Sequence, residues 1–141
     1  MKPMDRLIAV VDRLRGPGGC PWDRAQDHRS LIRYLREETR ELEHALRRGE
    51  WHEIEEELGD VLLQVLLHAR IESEKGRFSI QDVARAQALK LVRRHPHVFG
   101  GRARVRTAGE VLAIWQDVKT REKTLRRRDV RRRAVRKRTS Q

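Results

Sequence analysis

With 141 residues the chain can build one modest hydrophobic core, and its single cysteine excludes an intrachain disulfide. The net charge is +12, and no apolar stretch is long enough to span a bilayer or to form the apolar region of a signal peptide. We therefore expect a cytoplasmic protein without membrane contacts.

Helical periodicity dominates the sequence, and no segment shows the sustained alternation of a half-buried strand. The predicted helices cover about residues 3–15, 27–48, 51–75, 79–94 and from 107 onward. Positions predicted to face the core include Leu58 and Val65 on the third helix, and Val83, Leu89 and Val92 on the fourth. The pattern predicts an all-α bundle of about five helices.

The C-terminal segment carries most of the net charge. Residues 121–141 contain eleven Lys and Arg against two acids, which is +9 of the +12. Such a run can contact nucleic acid through its phosphates, or it can be a solvated helix end that continues into a disordered tail. We predict one domain over residues 1–120, then a basic helix end and a disordered tail that are dispensable for chemistry over 121–141.

Two pairs of acids border the apolar stripes of the second and third helices. Glu38 and Glu41 are three residues apart, as are Glu57 and Asp60, so each pair shares a helix face. Burying a polar group without a partner costs roughly 2–7 kcal/mol, and a charge costs more. Four acids from two antiparallel helices could hold Mg²⁺, or Mn²⁺, through oxygen ligands. The alternative is an ordinary solvated acidic face.

A glycine interrupts the third helix between these acids. Gly59 costs roughly 1 kcal/mol relative to alanine in a helix interior. We therefore expect another backbone or a ligand to approach it closely.

The acidic segments, EExxE at residues 37–41 and ExxD at 57–60, resemble the signature of the MazG family of nucleoside triphosphate pyrophosphohydrolases. Three further segments agree with the family in order and spacing: GGCPWD at 18–23, ELGDVLLQVLLHARI at 57–71 and KLVRRHPHVFG at 90–100. The resemblance covers roughly residues 7–119. It departs at the C-terminus, because long family members carry two such domains and this chain has one, followed by the basic segment.

The resemblance implies a helical bundle completed by pairing into a homodimer, and hydrolysis of an NTP or dNTP to a monophosphate and pyrophosphate. It implies that Mg²⁺ is bound by Glu38, Glu41, Glu57 and Asp60, and that Glu38 and Glu41 are also catalytic. Glu37 is a weaker candidate for orienting or deprotonating the attacking water. The positions that match nucleotide-holding residues of the family are Lys90, Arg94, Trp115 and Lys119.

The residues alone leave alternatives open. Lys90 and Arg94 lie one helical turn apart and could meet phosphate oxygens, or they could be surface charge. Trp115 could stack on a base or fill the core. The competing function is a nonenzymatic helical module that binds nucleic acid through residues 121–141, with steep salt sensitivity. The enzyme that we expect instead would serve nucleotide-pool house-cleaning.

Overall fold

The computed structural model describes residues 1–101, 105 and 107–138. Each secondary-structure element among them is a helix, as the sequence predicts: α1 (Pro3–Arg15), α2 (Pro21–Ala25), α3 (His28–Arg48), α4 (Trp51–Glu74), α5 (Ile80–Arg94), α6 (Pro96–Phe99) and α7 (Ala108–Arg138). The chain divides into two compact units, Met1–Val83 and Ala84–Gln141, and the boundary falls within α5. Within the described ranges, no helix combines the length and apolar character needed to cross a membrane.

The five predicted helices correspond to α1, α3, α4, α5 and α7, and their bounds are confirmed to within one or two residues where the sequence predicted both ends. The short helices α2 and α6 lie in segments that we predicted as loops. Each begins with a proline, whose fixed φ suits the first helical position and whose missing N–H is not needed there.

The C-terminal helix α7 continues to Arg138, which includes most of the segment predicted as a helix end and tail. Residues 139–141 lie outside the described residues. The division of the chain at residue 120 and the disorder of its last residues therefore stay predictions.

Helices α3 and α4 form an antiparallel hairpin whose ends are defined by local hydrogen bonds. Asp27 caps α3 by accepting from the Ser30 N–H at 2.8 Å, and the Ser30 hydroxyl accepts from the Asp27 N–H at 3.0 Å. Gly49 ends α3 with a φ of 76°, a left-handed conformation that glycine adopts without strain. Only Gly49 and Glu50 separate the two helices, so they pack side by side.

The core of the first unit lies between α1, α3 and α4. Its fully buried apolar residues are Val11, Leu31, Leu66, Leu67 and Ile71. Our prediction of the buried face of α4 is wrong at two positions, because Leu58 is 52% and Val65 40% exposed. Helix α4 is apolar on several faces, and the face that packs is set by the neighbouring helices, which periodicity does not identify.

The predicted inner positions of α5 are also wrong for this chain. Val83, Leu89 and Val92 are 38%, 59% and 45% exposed. An apolar helix face is buried only where another surface covers it, and the described residues of the single chain do not cover these three side chains.

A buried arginine ties α1 to the loop that follows it and to α4. The guanidinium of Arg15, a residue only 9% exposed, donates to both carboxylate oxygens of Glu74 at 2.9 Å. It also donates to the backbone carbonyls of Asp23 and Gln26. The buried charge is therefore paired and hydrogen-bonded, which such a charge requires.

A second polar network joins the N-terminus of α3 to the C-terminal part of α4. Glu72, 8% exposed, accepts hydrogen bonds from Lys75 at 2.8 Å, His28 Nε2 at 2.7 Å and Arg77 at 3.0 Å. These donors lower the pKa of Glu72 to about 2. The other ring nitrogen of His28 lies 2.7 Å from His68 Nδ1, so one proton is shared between these two nitrogens. Burial first, and then His28, lowers the pKa of His68.

This network makes the stability of the protein depend on pH. We expect the free energy of unfolding to fall as the pH drops below about 6.5, because unfolded His68 takes up a proton more readily than folded His68. A second loss is expected between pH 4.5 and about 2, as Glu72 is protonated and releases its donors. Urea unfolding between about pH 5 and about pH 8 measures the first effect.

The control for this prediction is a pair of histidine variants. His68→Asn should reduce the change in stability between about pH 5 and about pH 8, whereas the exposed His44→Asn on α3 should leave it unchanged. Equal pH dependence in the parent and in His68→Asn would contradict the assignment to His68.

Candidate functional site

The antiparallel packing of α3 and α4 brings acids from the two helices together. Carboxylate oxygens of Glu38, Glu41 and Glu57 all lie within 4.8 Å of one another. Asp60, one turn after Glu57, is not part of this close set. Its charge nevertheless acts on both Glu38 and Glu57. The structure thus groups three of the four predicted metal ligands and places the fourth within electrostatic reach.

The electrostatics of the cluster are those of closely spaced, partly buried acids. Burial and then the neighbouring acids, chiefly Asp60, raise the pKa of Glu38. Burial and then Glu41 raise the pKa of Glu57. The Oε2 atom of Glu57 is buried and accepts no hydrogen bond from any residue that the structure describes. A divalent cation with oxygen preference would satisfy this atom and offset the repulsion, so the residues fit such an ion.

Two further positions, Glu37 and Gly59, are adjacent in the chain to predicted metal ligands. Glu37 is exposed and lies outside the close set, although its charge contributes to the raised pKa of Glu38. A Cβ atom built at Gly59 would meet no atom within 4 Å among the described residues, so the expected close approach by the chain's own backbone is wrong.

In the second unit, two cations share one aromatic ring. The guanidinium carbon of Arg94 lies 5.5 Å from the centroid of the Trp115 ring, and Lys119 Nζ lies 5.2 Å from it. The Trp115 indole N–H is buried without an acceptor in the described part of the chain. Three of the four predicted nucleotide-holding residues therefore come together. The fourth, Lys90, has no hydrogen bond or ion pair that joins it to them among the described residues.

One residue of this group was missed at the level of sequence. Glu122 accepts hydrogen bonds from both Arg93 and Arg94. In the sequence it is one of two acids in a strongly basic segment, and we assigned it to a dispensable tail. The available signal was helical spacing, because Trp115, Lys119 and Glu122 follow one another at intervals that share a face of α7.

The fold and the three carboxylates define an all-α protein with a candidate site for a divalent cation. Residues 26–99, more than half of the chain, match the family model described as the MazG nucleotide pyrophosphohydrolase domain. The chain belongs to the MazG family. This membership confirms the resemblance seen in the sequence motifs and does not favour the nonenzymatic alternative.

Curated relatives agree with this assignment. The chain is 47% identical over 119 residues to the nucleoside triphosphate pyrophosphohydrolase/pyrophosphatase MazG of Thermotoga maritima, covering 84% of this chain and 45% of that protein. It is 42% identical over 124 residues to the nucleoside triphosphate pyrophosphohydrolase of Escherichia coli strain K12, covering 87% and 47%. The chain spans less than half the length of the curated relatives that it matches.

A solved structure shares the fold over most of this chain. The crystal structure of a MazG-related protein from Thermotoga maritima aligns with a TM-score of 0.68 and 26% sequence identity. The alignment covers 82% of this chain and 98% of that one.

Proposed function

We propose that this chain hydrolyses nucleoside triphosphates, ribo or deoxy, to a nucleoside monophosphate and pyrophosphate with Mg²⁺ as the metal and Mn²⁺ as an alternative. The observation that carries the proposal is the cluster of Glu38, Glu41 and Glu57, with its unpartnered buried oxygen, in a member of a nucleotide pyrophosphohydrolase family. We propose that this reaction serves to clean the nucleotide pool of the cytoplasm. The free thiol of Cys20 is in keeping with a reducing compartment.

The reaction adds water across the anhydride bond between the α and β phosphates. The chain would hold the metal with Glu38, Glu41 and Glu57, and we propose Asp60 as a further ligand from its charge coupling to two of them. When bound, Mg²⁺ would polarise the phosphorus and offset charge on the leaving pyrophosphate. Glu37, exposed beside Glu38, is proposed to orient the water or accept its proton.

We propose that cationic side chains of α5 and α7 contact the phosphates. Arg94 can present a planar pair of donors to phosphate oxygens, and Lys119 can present a compact charge. The ring of Trp115 makes cation–π contacts with both side chains, and its indole N–H is a further donor. We propose Lys90 as an additional phosphate contact, because it lies one turn before Arg94 on α5.

Product analysis tests the proposed reaction. The purified chain is incubated with Mg²⁺ and a panel of ribo- and deoxynucleoside triphosphates, and the products are separated by ion-exchange chromatography. We expect a monophosphate and pyrophosphate from at least one nucleotide, and no turnover in EDTA. Release of a diphosphate and inorganic phosphate, or activity that persists in EDTA, would refute the proposal.

We also expect the active form to be a homodimer. The α3–α4 hairpin exposes apolar side chains, each 40–64% accessible, at Ile32, Leu46, Trp51, Leu58 and Val65. Large exposed apolar surfaces of this kind are usual at subunit contacts. Multi-angle light scattering measures the mass directly. A monodisperse, active monomer at micromolar concentration would contradict this expectation.

A further inference from the structure

Glu122 on α7 joins two consecutive arginines of α5 with its two carboxylate oxygens. Its Oε1 accepts from Arg93 Nε at 2.6 Å, and its Oε2 accepts from Arg94 Nε at 3.2 Å and from Arg94 Nη2 at 2.7 Å. The side chains of Arg94 and Glu122 are only 15% and 16% exposed, whereas that of Arg93 is 54% exposed. The better protected of the two ion pairs is therefore the one to Arg94.

The contacts of Arg94 leave one side of its guanidinium available. Glu122 occupies the Nε and one Nη2 donor, and the Trp115 ring lies 5.5 Å from the guanidinium carbon. The Nη1 group donates to no residue in the described ranges. A planar guanidinium that is held by a carboxylate and an aromatic ring keeps its remaining donors in one orientation, which lowers the entropy cost of binding an anion.

The carboxylate also offsets repulsion within a group of cations. Arg94 and Lys119 both lie against the ring of Trp115, and Arg93 is adjacent to Arg94. The hydrogen bonds from the two arginines, that of Arg94 first, lower the pKa of Glu122 to about 2, so it is ionised at neutral pH. Without this charge, Arg94 would be free to move away from Lys119 and from the ring.

We propose that Glu122 is a positioning residue for nucleotide binding, which holds Arg94 against Trp115 with its free donors available to phosphate oxygens. The inference rests on the proposed function, in which Arg94 contacts the nucleotide. It gives a role to a residue beyond position 120, where the sequence predicted a dispensable segment.

The test replaces the charge of Glu122 in the full-length chain. Glu122→Gln keeps the size of the side chain and removes its charge, so Arg94 loses a charge-assisted partner. We expect the Kd for a nonhydrolysable NTP analogue with Mg²⁺, measured by titration calorimetry, to rise about tenfold. KM for the best hydrolysed nucleotide should rise by a similar factor, with kcat within about twofold of the parent. Glu122→Asp, which retains the charge, should recover part of the affinity.

A carboxylate on the same helix provides the matched control. Asp117 is exposed and pairs with Arg121 at 2.9 Å. Asp117→Asn removes the same charge from α7 and should leave Kd and KM unchanged. If Asp117→Asn weakens binding as much as Glu122→Gln, the effect is the general charge of the helix and the proposal is overturned.

A double-mutant cycle separates positioning from a merely structural role. Arg94→Ala should raise Kd by itself, and adding Glu122→Gln to it should cause no further change, because the carboxylate acts through the arginine. Full additivity of the two substitutions, or parental affinity in Glu122→Gln with only a lower Tm, would overturn the proposal. If Glu122→Gln does not fold, Glu122→Asp is measured in the parent and in Arg94→Ala, and a loss of affinity of the same size in both backgrounds would overturn the proposal.

The binding measurement also separates the proposed reaction from the positioning role of Glu122. If the parent binds the analogue through Arg94 and Glu122 but releases no pyrophosphate from any nucleotide, the proposed reaction fails and the positioning role stands. If the parent releases pyrophosphate while Glu122→Gln matches it in Kd and KM, the reaction stands and the positioning role fails.

Discussion

Glu57→Gln is expected to lower kcat/KM at least about 100-fold for the best hydrolysed nucleotide, because it removes a charge from a metal-binding cluster while keeping nearly the same volume. Glu57 is the most informative position, since its Oε2 atom is buried and has no hydrogen-bond partner among the described residues. Glu38→Gln should have a comparable effect, because the Glu38 carboxylate lies in the same close set. Steady-state kinetics over a range of Mg²⁺ concentrations measures both variants.

The same substitution should not destabilise the metal-free protein. Burial and Glu41 raise the pKa of Glu57 in the folded state, so the ionised carboxylate costs stability, increasingly as the pH rises through that folded pKa. The Tm of Glu57→Gln in EDTA at neutral pH should therefore equal or exceed that of the parent. Full activity in Glu57→Gln, or a large fall in Tm, would argue against a functional site.

The control removes a charge from the same hairpin outside the cluster. Glu43 is exposed on α3 and pairs with Arg47 one turn later. Exposed pairs of this kind contribute little, so Glu43→Gln should retain parental kinetics. A similar loss in this variant would mean that the total charge of the hairpin, rather than the cluster, matters.

Leu31→Ala is expected to have the largest effect on stability, lowering the free energy of unfolding by about 2–5 kcal/mol. Leu31 is completely buried and packs in the core with Val11 and Leu67. Its truncation leaves a cavity that three packed helices cannot easily close. Urea denaturation gives the value, with Leu125→Ala as control because Leu125 is 60% exposed. Equal stability of the two variants would contradict the assigned core.

The sequence predicts the local parts of this fold well because their signals are local. Helix α3 begins at the Asp27 and Ser30 capping pair and ends at Gly49, and both ends follow from side chains within a few residues. The buried face of α4 does not follow in this way. Leu58 and Leu67 are equally apolar, and only the packing of α1 and α3 determines that Leu67 is buried and Leu58 exposed.

In the candidate site, too, some features follow from the sequence and others depend on how the helices pack. Acids three residues apart on two adjacent helices predict a cluster, because a short hairpin leaves little freedom in how the helices pair. Which acids belong to the cluster depends on the exact packing of the two helices. This packing brings Glu41 close to Glu57 and leaves Asp60 outside the group. Glu122 could not be assigned from charge alone, since its partners Arg93 and Arg94 lie on a separate helix far earlier in the chain.

The two-residue connection between α3 and α4 has a consequence for the order of folding. Because the acids of the cluster lie close together along the chain, their pairing requires only a small loop to close, and contacts of low sequence separation form rapidly. Closure of this hairpin brings these like charges together. We expect divalent cations to accelerate refolding by relieving that repulsion in the transition state, so the ion would act on the rate of folding as well as on the finished protein.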